Sequence, residues 1–83
     1  MSNYDQIRLW PTSDHQDLLD FVEELWNKDY GSVRVEVGIY SFVTGGWADN
    51  EELIQALSDN VLFWLTCWER SERGGLHVFK VPM

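Results

Sequence analysis

The sequence predicts a single α+β domain in which two helices pack on a small, mainly antiparallel sheet. Three observations support this fold class. Apolar residues recur at helical spacing over residues 14–28 and again over 50–58. The segments between and after them are rich in β-branched and aromatic residues, which favour strands. The length of 83 residues is that of one domain, which we place at residues 1–83.

The first helix has the clearest pattern in the chain. Before it, residues 5–10 are compatible with a short strand or an ordered arm. Ser13, with Gln16 three residues later, forms a capping-box pattern, and Gly31 is a natural C-terminal stop. The apolar stripe that this helix would bury consists of Leu18, Leu19, Phe21, Val22, Leu25 and Trp26.

The segment 32–43 follows the period of a strand. Valine at every second position alternates with charged residues over its first half. Gly38 interrupts this alternation and predicts a β-bulge. Further apolar residues then continue the extended segment to Val43.

The second helix and the C-terminal third are harder to separate. Asp49 opens a helix over 50–58, and a Ser-Asp-Asn sequence predicts its end. Residues 61–69 fit two structures: a strand that forms a hairpin with 76–81, or a second helix continuous from 50 to 69. Periodicity does not decide between them, because the run is short and apolar throughout. We expect the C-terminal hairpin, since Phe, Trp, Val and Thr favour strands.

Few residues in the chain are reactive. Cys67 is the sole cysteine, which excludes an intrachain disulfide, and two histidines are too few for a structural zinc site. In a symmetric hairpin Cys67 would face His77, but nucleophilic catalysis also needs an orienting group and an oxyanion site. We therefore expect an inert, buried Cys67, no catalytic residues, no metal ligands and no cofactor.

The net charge of −8 is unevenly distributed. Residues 1–60 hold twelve acidic and three basic side chains, whereas residues 61–83 hold two acidic and three basic ones. Nucleic acids and anionic membranes are bound through basic surfaces, so we expect neither as a direct partner. The lone cysteine, the polar N-terminus and a longest apolar run of about eight residues predict a cytoplasmic location.

A spaced pattern of motifs begins at Phe42. Its elements are Thr44-Gly45-Gly46-Trp47, Asn50-Glu51-Glu52, Phe63-Trp64, Trp68 and Arg73-Gly74-Gly75. Over roughly residues 42–80 the pattern resembles that of small bacteriophage and prophage proteins to which no activity is assigned. The resemblance implies a viral origin, an accessory role and a location in the host cell, and it transfers no functional residue.

Two sets of residues are candidates for partner binding. Trp47 lies beside two glycines in a predicted loop, and Trp10 is the second candidate, because tryptophan is enriched at the energetic centres of interfaces. The other set lies on the outer face of the first helix, where carboxylates could imitate nucleic-acid phosphates: Asp17, Asp20, Glu23 and Glu24.

Two classes of function are consistent with these features. The first is a non-catalytic accessory protein that binds a host or phage protein and inhibits it. The second is a minor virion component or an obligate homo-oligomer, in which spare aromatic surface is buried between copies.

Overall fold

The computed structural model describes residues 2–11 and 14–82, and these residues form an α+β domain. The described residues contain four helices and one four-stranded antiparallel sheet with the strand order β1-β2-β4-β3. The elements are α1 (Asn3–Arg8), α2 (His15–Leu25), β1 (Ser32–Glu36), β2 (Ile39–Val43), α3 (Ala48–Asp59), α4 (Val61–Cys67), β3 (Trp68–Glu72) and β4 (Leu76–Lys80). The predicted fold class is confirmed, and a C-terminal hairpin is present, but its first strand is not the predicted segment 61–69.

The predicted strand or arm over residues 5–10 is wrong, because residues 5–8 belong to α1 and the helix ends at Arg8. The hydroxyl of Ser2 caps the helix by accepting a hydrogen bond from the backbone N–H of Asp5, with 3.1 Å between N and Oγ. Ile7 is completely buried in the core. One cap and one buried side chain therefore stabilise this helix, which is too short to show an apolar stripe in the sequence.

The predicted helix over 14–28 is confirmed as α2, which ends earlier, at Leu25. Trp26 leaves the helix with an extended backbone, and its indole Nε1 donates to the carbonyl of Val43 at 3.1 Å. Gly31 is not the helix stop; it packs where an added Cβ would overlap that same carbonyl. Ser13 of the predicted capping box lies outside the described residues. The buried stripe contains Leu18, Leu19 and Val22.

The segment 32–43 forms a hairpin of two strands, so the bulge predicted at Gly38 is wrong. Glu36 pairs with Ile39, which places Gly38 in the two-residue turn between β1 and β2. Side chains on one face of the sheet enter the core, among them Tyr40, Phe42 and Phe79. The opposite face carries charges of both signs, including the ion pairs Arg34–Glu36 and Arg70–Glu72.

The loop before α3 is tied to the loop after α2 by a fully buried side chain, Asn50. Its Oδ1 accepts the N–H of Asn27 at 2.9 Å, and its Nδ2 donates to the carbonyls of Asn27 and Thr44 at 3.1 and 3.2 Å. Trp47, and not Asp49, is the residue that precedes the helix. The predicted helix over 50–58 is confirmed, and the observed helix is longer by two residues at its start and one at its end.

Both structures considered for residues 61–69 are wrong in part. Residues 61–67 are helical, but this helix is not continuous with α3, because Asn60 between them has non-helical backbone angles of φ −84° and ψ 86°. Its Oδ1 accepts the N–H of Phe63 at 3.3 Å, while its Nδ2 donates to the carbonyls of Ile7 and Trp10 at 3.0 and 3.3 Å. The same side chain therefore caps α4 and fastens it to α1.

The C-terminal hairpin contains β3 and β4, and its first strand begins at Trp68, seven residues later than predicted. A bulge lies between Trp68 and Arg70. Gly75 ends the turn before β4 with φ +85°, a conformation that strongly favours glycine, and an added Cβ would overlap the hydroxyl of Thr44. The carbonyl of Gly75 also accepts the N–H of Thr44 at 3.1 Å. This contact connects the end of β2 to the start of β4.

Candidate functional site

Among the described residues, a group of four exposed apolar side chains lies on α4 and continues onto the first residue of β3. We define the α4 surface as Val61, Leu62, Leu65 and Trp68, whose exposed fractions are 61%, 60%, 77% and 40%. Phe63 and Cys67 lie on the buried side of the helix. No charged residue occurs between positions 61 and 68. Contiguous exposed apolar patches of this kind mark interaction sites on globular proteins.

The indole of Trp68 is held in a defined position on this surface. Its ring stacks on Trp64, with centroids 5.6 Å apart and an interplanar angle of 13°, and Trp64 in turn packs edge-to-face on Phe79. Its Nε1 donates to the hydroxyl of Ser71 at 2.9 Å. A tryptophan fixed in this way loses little conformational entropy on binding, which suits it to an interface centre.

The hydroxyl of Ser71 continues this chain of hydrogen bonds to His77. Ser71 Oγ lies 2.8 Å from Nδ1 of His77. Burial lowers the pKa of His77 below its ordinary value, against an opposing effect of Glu51. The Ser71 oxygen accepts the indole N–H of Trp68, and in the His77 tautomer with an unprotonated Nδ1 the hydroxyl donates to that nitrogen. We assign this Ser–His contact to the positioning of Trp68.

The predicted proximity of Cys67 to His77 is wrong. Cys67 ends α4, and its Sγ lies 3.4 Å from Nδ1 of His15 on α2, whose ring packs edge-to-face on Phe63. Burial raises the pKa of the Cys67 thiol to about 11. A nucleophilic cysteine needs the opposite shift, toward the thiolate. The expectation of a buried Cys67 is confirmed.

The two tryptophans selected from the sequence occupy different environments. Trp47 is exposed, and one face of its ring stacks on Tyr30 with centroids 4.5 Å apart. The preceding Gly45 has φ +64° and lies against the carbonyl of Tyr30, so the double glycine serves this tight turn. Trp10 is half-buried on Phe21, with its Nε1 donating to the carbonyl of Asp14 at 3.0 Å.

The acidic residues selected on α2 are mostly exposed. Asp17, Asp20 and Glu24 lie in one stripe of the helix, at positions i, i+3 and i+7. Glu23 is half-buried and pairs with Lys28 at 3.3 Å. Asp20 accepts the phenol proton of Tyr40 at 2.6 Å. Burial and this hydrogen bond raise the pKa of Tyr40 to about 12.

The fold segregates the charge of the protein by element. The α2 helix contains four acidic and no basic residues, and α3 contains Asp49, Glu51, Glu52 and Asp59 with no basic residue. These two helices together carry −8, which equals the net charge of the whole chain. The four strands hold three acidic and three basic residues and are neutral. The acidity is therefore a property of α2 and α3 and not of α4 or the sheet.

Other features of the described residues give weaker indications of a binding site than the α4 surface does. A shallow groove of about 740 Å³ lies beside the β1–β2 turn, where Val35 and Val37 are exposed. Within residues 2–11 and 14–82, no group of three His, Cys, Asp or Glu side chains could hold a metal ion. In the same residues, no helix has the length and apolar character needed to cross a membrane.

The α4 surface is the feature that reasoning from the sequence missed. A signal was present, because the run from Val61 to Leu65 is apolar at five consecutive positions, more than one buried helix face requires. In a helix continuous with α3, residues 61, 65 and 68 share the stripe of Leu53 and Leu57. The break at Asn60 reorients α4, so that Phe63 and Cys67 are buried in their place.

No protein-family model, no curated protein and no solved structure matches this chain. Two physical features of the molecule bear on its function, the exposed apolar surface of α4 and the concentrated charge of α2 and α3.

Proposed function

We propose that this protein acts by protein–protein binding, without catalysis of its own, and that the α4 surface is the contact region. The observation that carries this proposal is the exposure of Leu62, Leu65 and Trp68 on one uncharged surface of an otherwise acidic domain. Water contact of these side chains is unfavourable by about 25 cal/mol per Å² of apolar surface. A partner that covers them removes this penalty and gives the surface a function.

A pair of matched substitutions tests the proposal. Leu65→Glu places a charge at the centre of the α4 surface. Val37→Glu makes the same type of change at an 85% exposed position in the β1–β2 turn, on the edge of the sheet away from β3. Both positions are exposed, so both variants should fold.

Tagged protein is used to capture partners from a host lysate that also contains an untagged copy of this chain. We expect the wild type and Val37→Glu to retain the same proteins and Leu65→Glu to lose them by at least tenfold, since hot-spot changes cost about 2 kcal/mol or more. Retention of the same proteins by Leu65→Glu would refute the α4 surface as the contact region. Turnover of a substrate by the purified protein would refute the non-catalytic assignment.

A second candidate function is supported by the charge of α2 and α3. An acidic surface favours a basic partner surface, and the exposed stripe of Asp17, Asp20 and Glu24 has the sign needed to imitate phosphates. This version corresponds to a phage-type accessory protein that inhibits a nucleic-acid-binding host or defence protein in the host cytoplasm. Reversal of these three residues to Lys should abolish such binding, and the wild-type affinity should fall steeply with salt. Salt-independent binding would exclude it.

A further inference from the structure

We infer that the α4 surface is covered by a second copy of this chain, in a dimer with two-fold symmetry. The inference rests on the proposed function, because it names the protein that occupies the same surface. In such a dimer the same patch is used by both copies, so the patch must be complementary to itself in shape and in charge. The area, the charges at the two ends of α4 and the neighbouring sheet edge each bear on this requirement.

The exposed area meets the lower limit for a specific interface. From the exposed fractions of its four residues, the α4 surface leaves about 500 Å² in contact with water, backbone included, which lies within the range of the largest patches seen on monomers. Two such patches brought together bury about 1,000 Å², the size at which an interface becomes credible as a biological one.

Mixed charges lie at both ends of α4. At the N-terminal end Arg8 pairs with Asp59 and with Asp5, and at the C-terminal end Arg70 pairs with Glu72 beside Glu69. When two α4 helices cross antiparallel, each N-terminal end meets the C-terminal end of the other copy. Each end contains one guanidinium and two carboxylates, a net charge of −1, so the apolar area and not charge complementarity favours this pairing.

Other surfaces of the domain are less suited to self-association. Contact between two copies through α2 or through α3 would bring four carboxylates against four. The β3 edge of the sheet carries Glu69, Arg70 and Glu72 and contains a bulge, features that protect an edge strand from pairing. The α4 surface lacks both obstacles, since it is apolar and free of charge.

Sedimentation equilibrium of the purified protein between about 5 µM and 1 mM tests the inference, a range that covers weak to moderate dimers. We expect the wild type to approach twice the monomer mass of 9.8 kDa and Val37→Glu to do the same. Leu65→Glu should remain a monomer throughout, with a dissociation constant raised at least 100-fold. As a second measurement, Leu65→Cys in a Cys67→Ser background should form an intermolecular disulfide on mild oxidation, because a residue near the two-fold axis meets its own copy.

The outcomes separate this inference from the proposed function. A wild-type monomer at 1 mM overturns the second copy as the occupant. If Leu65→Glu still loses proteins captured from the lysate, the α4 surface binds a different protein, and the proposed function stands without the dimer. A monomer whose captured proteins are unaffected by Leu65→Glu overturns both. A dimer that persists in Leu65→Glu also overturns the inference, since it uses another surface.

Discussion

Substitution of Asn60 by alanine should destabilise the domain more than a single side chain of this size usually does. Asn60 lies at the junction of three elements, because it ends α3, caps α4 and binds the C-terminal end of α1. Alanine removes all three hydrogen bonds of the side chain. It leaves the carbonyls of Ile7 and Trp10 and the N–H of Phe63 without these bonds, and Asn60 itself is 93% buried.

The magnitude follows from the number of bonds. Each neutral hydrogen bond contributes about 1 kcal/mol net, so three give a loss of about 3 kcal/mol, of which the helix cap accounts for about 1 kcal/mol. A domain of 83 residues has a total stability of roughly 4 to 12 kcal/mol. For domains of this size, 3 kcal/mol corresponds to a fall in Tm of about 12 to 24 °C.

Thermal and urea unfolding followed by circular dichroism measure this effect. Gln55→Ala is the control, because Gln55 is exposed on α3 and bonds only to nearby surface groups; its change should stay within about 0.5 kcal/mol. Asn60→Asp separates the two roles, since Asp caps helices well but cannot donate to the carbonyls of α1. Wild-type stability of Asn60→Asp would refute the tie to α1, and a loss below 0.5 kcal/mol in Asn60→Ala would refute the whole argument.

Three further predictions concern a turn, a phenol and a thiol. Gly75→Ala should destabilise by at least 2 kcal/mol, against about 1 kcal/mol for Gly74→Ala, because both have positive φ but open space surrounds Gly74 alone; equal losses in urea unfolding would contradict this. The pKa of Tyr40 is raised to about 12, so the folded state binds more protons than the unfolded state above pH 10. Stability should therefore fall as pH rises from about 10 to 12, and Tyr40→Phe should flatten that part of a pH series of unfolding curves. Cys67 should resist a thiol reagent at pH 8 in the folded protein and react fully in urea; fast labelling without urea would show that the thiol is accessible.

Much of the local structure could be predicted because it depends on neighbours in the sequence. The α2 helix follows from an apolar stripe repeated over three turns, and β1 follows from the alternation of valine with charged residues. The α+β class could be predicted for the same reason, whereas the first strand of the C-terminal hairpin was wrongly placed at 61–69, a segment that is helical up to Cys67. The α1 helix was missed, since six residues with one buried side chain carry almost no periodic signal.

The candidate site could not be predicted, because it depends on contacts between distant parts of the chain. Trp10, Trp47 and the α2 carboxylates were selected for their residue types, and their roles in binding stay predictions. The α4 surface exists because Asn60 binds carbonyls 50 and 53 residues away in the sequence, which stops α3 and reorients the apolar run that follows.

The sequence by itself determined the composition of the domain: its acidity, its aromatic core, and its two main helices and β-rich segments. These properties depend on residue counts and on spacing over a few turns. The tertiary structure alone decided which apolar residues face water. That choice depends on the orientation of α4, and long-range hydrogen bonds of one buried asparagine set this orientation. The tertiary structure also shows where the net charge lies: α2 and α3 carry it, and the α4 surface carries none.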